Sequence, residues 1–459
     1  MRGESRLFFA PQAWVAGTWM QNVLLGVSDK GLWTLVEPNC NSEKQTAATH
    51  LDGPVLPGVV NTHSHAFQRA IVGLTERRSS GAGAADDFWS WRDRMYSSAN
   101  CITPQQLETI AGQLYAELLA GGFTHVCEFH YLHNALNGAP YAQVAEMSQA
   151  LVRAARKTGI GLTLLPTLYM RAGFADKNLR EDQRRFASTP DSIMRIVEQL
   201  HRYTAEDANI NVGVAIHSLR AVSPGALKEL ASYAHAAAMP VHIHIAEQTQ
   251  EVEDCLAHVG QRPIEWLLNH AEVDGRWNLV HATHTTPEEL LGVQASGASI
   301  VICPATEANL GDGVFDLPGY AAVKGTWSIG SDSHVTRRWS EELRLLEYSQ
   351  RLTRRKRNMA AQLLNYESSA AALLEGALAG GGHATGLALG GISVGQRADF
   401  CVLNPQSPSL QGIPSDYLLD ALVFSSPDAH FRSVHVAGIP VTLDSDPIFA
   451  SAMRSLWGS

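Results

Sequence analysis

The strongest constraint on this chain is an alternation of short apolar, β-branched runs with helix-like stretches. The runs are Val59–Asn61, Thr124–Phe129, Gly161–Leu168, Asn211–Ile216, Pro240–Ile245, Asn278–His281, Ser299–Cys303 and Trp327–Gly330. Between them lie helical patterns such as Gln105–Ala120, Pro190–Tyr203, Pro224–Ala238 and Pro287–Ala295. A strand followed by a helix returns the chain to the same end of the sheet, so successive strands must run parallel. Eight such units predict an α/β fold, a (β/α)8 TIM-type barrel over residues 59–391. The flanks, 1–58 and 392–459, carry short alternating segments such as GQRADFCVLN and SVHVAGIPVTL. They are expected to pair into a small β-domain, a β-sandwich built from both chain ends. Gly380–Gly382 and Gly390–Gly391 read as the linker into it.

Composition narrows the function. With 35 basic against 45 acidic residues, the net charge of -10 argues against a nucleic-acid binder or a membrane-surface protein. The basic run RLTRRKR (351–357) reads as the solvated face of a helix. Six scattered cysteines without a CxxC pair read as reduced thiols in a cytoplasmic protein. The N-terminal apolar run LFFA is cut short by Pro11 and Gln12, so neither a signal peptide nor a membrane span is expected.

In a barrel of this kind the chemistry sits at the C-terminal ends of the strands. The first strand ends in LPGVVNTHSHAFQRA, with His63 and His65 at i and i+2. In extended chain that spacing sends both imidazoles to one side, where both can reach one metal ion. The fifth strand reads PVHIHIAEQTQ and offers His242, His244 and Glu247. His242 and His244 share a face, and periodicity does not choose between them. The sixth strand ends in LVHATH, with His281 and His284, and the eighth in WSIGSDSHV, with Asp332. Three imidazoles and a carboxylate suit Zn(II) or Fe(II), with one position left for water.

HSH after strand one, HIAE on strand five, the strand-six histidine and SD after strand eight together resemble the amidohydrolase superfamily, in its one-metal deaminase branch. The resemblance implies that His63, His65, His244 and Asp332 hold one divalent ion, Zn(II) before Fe(II). It makes Glu247 the proton shuttle and His281 the group that orients the water or faces the developing charge, with Asp332 also accepting the water proton. Two-metal relatives use a lysine at the end of strand four. Neither AIHSLRAV nor TLLPTLYM contains one.

Longer strings, among them HSHAFQRA, FWSWRDRMY, EFHYLH, IHSLRAV and CPATEANLGDG, resemble the members of that branch that deiminate N-formimidoyl-L-glutamate in histidine degradation. Ala305 stands where a second threonine is often found. A dianionic substrate needs cations away from the metal, and Arg220 and Arg92 are the candidates. By the resemblance, Gln68, Tyr131 and His217 add hydrogen bonds, and the enzyme is a homodimer. Trp89 and Trp91 read as packing residues. The rival readings are a deaminase of a purine, pyrimidine or triazine ring and, in a different class, a scaffold relative without catalysis.

Overall fold

A computed structural model describes residues 6–77, 87–175 and 177–457. Eight parallel strands follow one another in sheet order: β1 (Val59–Ser64), β2 (Phe123–His130), β3 (Gly161–Leu168), β4 (Ile210–Val212 and Val214–Ile216), β5 (Val241–Ile245), β6 (Trp277–His281), β7 (Ser299–Ile302) and β8 (Thr326–Ile329). The two pieces of β4 flank Gly213, where a Cβ would lie 2.7 Å from the Pro240 carbonyl oxygen. Every residue of β2 and β3 is buried, as expected of parallel strands covered on both faces. The barrel expected from the alternation is therefore present.

Closure brings the last strand back to the first. Thr62 Oγ1 donates to the Ile329 carbonyl at 2.8 Å. The Asp332 amide donates to the His63 carbonyl at 3.0 Å, and the His65 amide returns a bond to the Asp332 carbonyl at 3.2 Å. These bonds tie the HSH segment to the segment after β8. Glycine at 330 makes the approach possible, since a Cβ there would lie 2.6 Å from His63 Cβ and 3.0 Å from its carbonyl oxygen.

The floor of the barrel is closed from below. Helix Ser369–Thr385 ends with the Ala384 carbonyl bonded by His242 Nε2 at 2.9 Å, and Asn211 Nδ2 donates to the Thr385 carbonyl at 2.8 Å. His242 thus lies at the lower layer of the interior, one step of the strand beneath His244.

The chain ends form one continuous, mostly antiparallel sheet, in the order Ile439–Pro440, Phe431–Val436, Phe400–Leu403, Val55–Pro57, Arg6–Val15, Thr18–Val27 and Trp33–Glu37. The β-sandwich expected of the flanks is in outline a single hydrogen-bonded sheet around its own core of Phe8, Val23, Leu25, Trp33, Val55 and Phe400. Buried Arg397 fastens it to the barrel, reaching Asp399 at 2.7 Å and His125 Nδ1, near the start of β2, at 3.1 Å. Helix Leu418–Phe424 and strand Phe431–Val436 also contribute Leu419, Leu422, Phe431 and Val434 to the large barrel core. The basic run ends helix Trp339–Arg354, where Arg351 pairs with Glu347 at 2.8 Å and Leu352 is exposed. Among the described residues no helix is long and apolar enough to cross a membrane.

Gly330→Ala forces a methyl group into the closure and should cost about 1–3 kcal/mol, as overpacking does elsewhere. Urea denaturation of the two proteins checks this, and an unchanged midpoint would contradict the tight closure.

Candidate active site

Four strands deliver the reactive side chains to one point. His63 and His65 stand at the end of β1, His244 on β5, His281 at the end of β6, and Asp332 three residues beyond β8. His63 Nε2 lies 3.0 Å from His244 Nε2 and 3.5 Å from Asp332 Oδ1, which is itself 3.3 Å from His65 Nε2. All four side chains are buried. The ligand atoms of His63, His65 and His244 lie within 4.8 Å of one another, as do those of His63, His281 and Asp332.

The donor chemistry fits a metal ion. His65 Nδ1–H donates to the Phe129 carbonyl at 2.8 Å, and His244 Nδ1–H to the His217 carbonyl at 3.0 Å. Each bond fixes the tautomer, so the free Nε2 lone pairs turn toward the common centre. Burial favours the neutral, ligating form of all three histidines, pushing His63 down to about 3. For Asp332, burial opposes the charge, but the hydrogen bond and charge of His63 with the neighbouring His65 and His281 hold it well below the usual carboxylate range. Neutral imidazoles around an ionised carboxylate are the donor set of a divalent cation site.

Beside this cluster, His281 Nε2 lies 3.7 Å from Glu247 Oε1 and 3.8 Å from Asp332 Oδ2. Burial raises the pKa of Glu247 above the ordinary range, which keeps a proton available there. For His281, burial is outweighed by the carboxylates of Glu247, Glu307 and Asp332, and its pKa is raised.

The cluster opens into a cleft lined by Gln68, Arg92, Tyr96, Tyr131, His217 and Arg220. Arg220 is buried, and among the described residues its Nη1 has no hydrogen-bond partner; Glu251 stands 3.7 Å away. Arg92 Nε is likewise buried without a partner among them, while its guanidinium lies 4.4 Å from the ring of Trp89. Gln68 Nε2 donates to Tyr131 Oη at 3.3 Å. The residues singled out from the sequence as ligand, proton carrier or substrate contact therefore lie in or against one cleft, except His242, which the strand periodicity left open and which lies on the barrel floor. His284 also stays out of the cleft: its Nε2 bonds the Asp312 carbonyl at 2.9 Å. Trp91, read from the sequence as packing, also lines the cleft.

Sequence reasoning missed a supporting layer. Glu307 accepts from His281 Nδ1 at 3.3 Å and from the Cys303 amide at 2.9 Å, fixing the imidazole edge that faces the cleft. Glu251 accepts the Glu247 amide at 3.1 Å and faces Arg220, linking the two cleft residues. Glu128 accepts from Ser64 Oγ at 2.6 Å and from the Ala66 amide, gripping the turn that carries His63 and His65. The backbone is strained here too: Ala246, His281, Ala282, Asp332 and His334 have φ between 46° and 71°, a region L-residues avoid. Acidic residues inside CPATEANLGDG and EFHYLH were the available signal, but nothing local says which way they turn.

Residues 55–441 match the model of the amidohydrolase family, and the chain belongs to that family. Within it, the chain is 44% identical over 436 residues to formimidoylglutamate deiminase of Pseudomonas aeruginosa, covering 95% of this chain and 94% of that protein. The crystal structure of an amidohydrolase from Brucella melitensis is 40% identical and superposes with a TM-score of 0.89 over 99% of this chain and 98% of that one. An adenosine deaminase from Xanthomonas campestris with bound zinc shares the fold at 21% identity, with a TM-score of 0.79 and coverage of 98% and 97%.

Removing an imidazole should empty the site without unfolding the barrel. His65→Asn and His244→Asn are expected to purify with far less than one metal ion per chain, measured by elemental analysis. Glu307→Ala should keep its metal and lose about 10- to 100-fold in kcat; loss of the metal from that variant would instead make Glu307 part of the metal site.

Proposed function

We propose that this chain is a hydrolase that deiminates N-formimidoyl-L-glutamate, adding water and releasing N-formyl-L-glutamate and ammonia. The observation that carries the reading is the pairing, in one cleft, of the His63–His65–His244–Asp332 cluster with Arg220 and Arg92, whose Nη1 and Nε respectively have no hydrogen-bond partner among the described residues. Two cations beside a metal-type centre suit a substrate with two carboxylates and a small amidine head. A neutral purine, pyrimidine or triazine ring gives those cations nothing to pair with. The 44% identity to a formimidoylglutamate deiminase supports the same reading, and the proposed reaction is placed in histidine degradation.

The ligand set suits Zn(II), and one ion is enough, since strand four ends in His217 rather than a lysine. A divalent ion held there supplies the positive charge that acidifies water near neutrality and polarises the C=N bond. Asp332 lies where it can take the first proton of the attacking water. Glu247, kept partly protonated by burial, carries a proton to the substrate nitrogen, so that the C–N bond breaks with ammonia as leaving group. His281 faces both carboxylates and steadies the negative charge that builds as water adds. Arg220 and Arg92 hold the two carboxylates, while Gln68, Tyr131 and His217 close around the head.

The metal-loaded protein should release ammonia from N-formimidoyl-L-glutamate far faster than from guanine, cytosine or adenosine, and the reverse ranking sinks the proposal. Glu247→Gln is expected to lower kcat by about 10²- to 10⁴-fold with KM little changed. Arg220→Met should act mainly on KM.

A further inference from the structure

We infer that Tyr96 is a further substrate-binding residue, its phenol O–H aimed by Tyr169 and Gln183 as a hydrogen-bond donor to a carboxylate oxygen in the cleft. Tyr96 lines the cleft beside Arg92, Tyr131 and Arg220 and is 2% exposed. Its hydroxyl is 3.1 Å from that of Tyr169. Gln183 Nε2 donates to Tyr169 Oη at 2.8 Å and to Tyr96 Oη at 3.3 Å. The amide cannot be turned round, because Gln183 Oε1 accepts the Arg180 backbone N–H at 2.9 Å.

Counting protons gives the direction. Gln183 spends its two N–H groups on the two phenol oxygens, and one phenol donates to the other. One O–H is then left over. Tyr169 lies away from the cleft, 2% exposed, with its ring against His217 at 4.3 Å. A free O–H on Tyr169 would be buried without an acceptor, which is unfavourable. The favourable arrangement has Tyr169 donating to Tyr96, which leaves the Tyr96 proton facing the cleft.

The ligand there is an anion. Arg92 and Tyr96 sit at i and i+4 on helix Phe88–Ala99, and the Arg92 guanidinium carbon lies 5.4 Å from the Tyr96 ring centre. An oxyanion paired with Arg92 thus comes within reach of the Tyr96 hydroxyl, making a two-point carboxylate subsite distinct from Arg220. Gln183 and Tyr169 are positioning residues that act through Tyr96. The inference rests on the dicarboxylate reading above.

Glutarate, a dicarboxylate without the amidine head, is the probe. Its binding to the metal-loaded protein is measured by calorimetry for wild type, Tyr96→Phe and Gln183→Leu, alongside melting temperature and metal content. Tyr96→Phe should weaken glutarate about 10- to 100-fold, the range of one hydrogen bond to a charged group. Gln183→Leu, which leaves the cleft lining untouched, should weaken it less and raise KM for N-formimidoyl-L-glutamate while kcat stays within about twofold. Glutarate affinity unchanged within twofold in either variant, or no glutarate binding by wild type, overturns the subsite. Tyr96-dependent glutarate binding by a protein that releases no ammonia from N-formimidoyl-L-glutamate would leave the subsite standing and remove the proposed reaction. Should Tyr96→Phe fail to fold, Gln183→Leu carries the test alone.

Discussion

Everything in this molecule is arranged around three imidazoles and a carboxylate brought within a few ångströms of one another at the buried base of a cleft. Such a cluster is costly without an ion, because buried nitrogen lone pairs face one another around a buried negative charge. The barrel bears that cost by fixing His65, His244 and Asp332 from behind. Backbone carbonyls take the spare N–H of His65 and His244, and the closure of the eighth strand on the first holds Asp332 beside His63. Alignment is thereby set by the scaffold before any ion arrives.

From that centre the supporting contacts run outward in layers. Glu307 stands behind His281, Glu251 behind both Glu247 and Arg220, and Glu128 behind the HSH turn. Each is a buried carboxylate that holds a cleft residue or the segment carrying one. The strained φ values after β5, β6 and β8 belong to the same design, since regular strand geometry would carry Glu247, His281 and Asp332 past the centre. Conformational strain is tolerated there because the barrel core on one side and the loop hydrogen bonds on the other leave the chain no alternative.

Much of this was legible in the sequence, for physical reasons. Parallel strands buried on both faces read as apolar runs, so the eight strands and their order stood out. The i, i+2 spacing of His63 and His65 put two imidazoles on one side of a strand. Periodicity could not rank His242 against His244, because both face the interior. Depth separates them: His242 meets the Ala384 carbonyl on the floor, and His244 meets His63 in the histidine cluster. Glu307, Glu251, Tyr96 and Tyr169 stayed hidden, since their roles depend on partners from other strands and loops. The small β-domain was legible as short alternating segments, but not its joining into one sheet through Val55–Pro57.

The central claim is that one divalent ion, held by His63, His65, His244 and Asp332, drives the deimination. It is tested most directly by titrating metal-free protein with Zn(II) while following ammonia release from N-formimidoyl-L-glutamate. The account predicts activity that rises linearly and breaks at one equivalent per chain. A break at two equivalents, or full activity with no metal added, would contradict it.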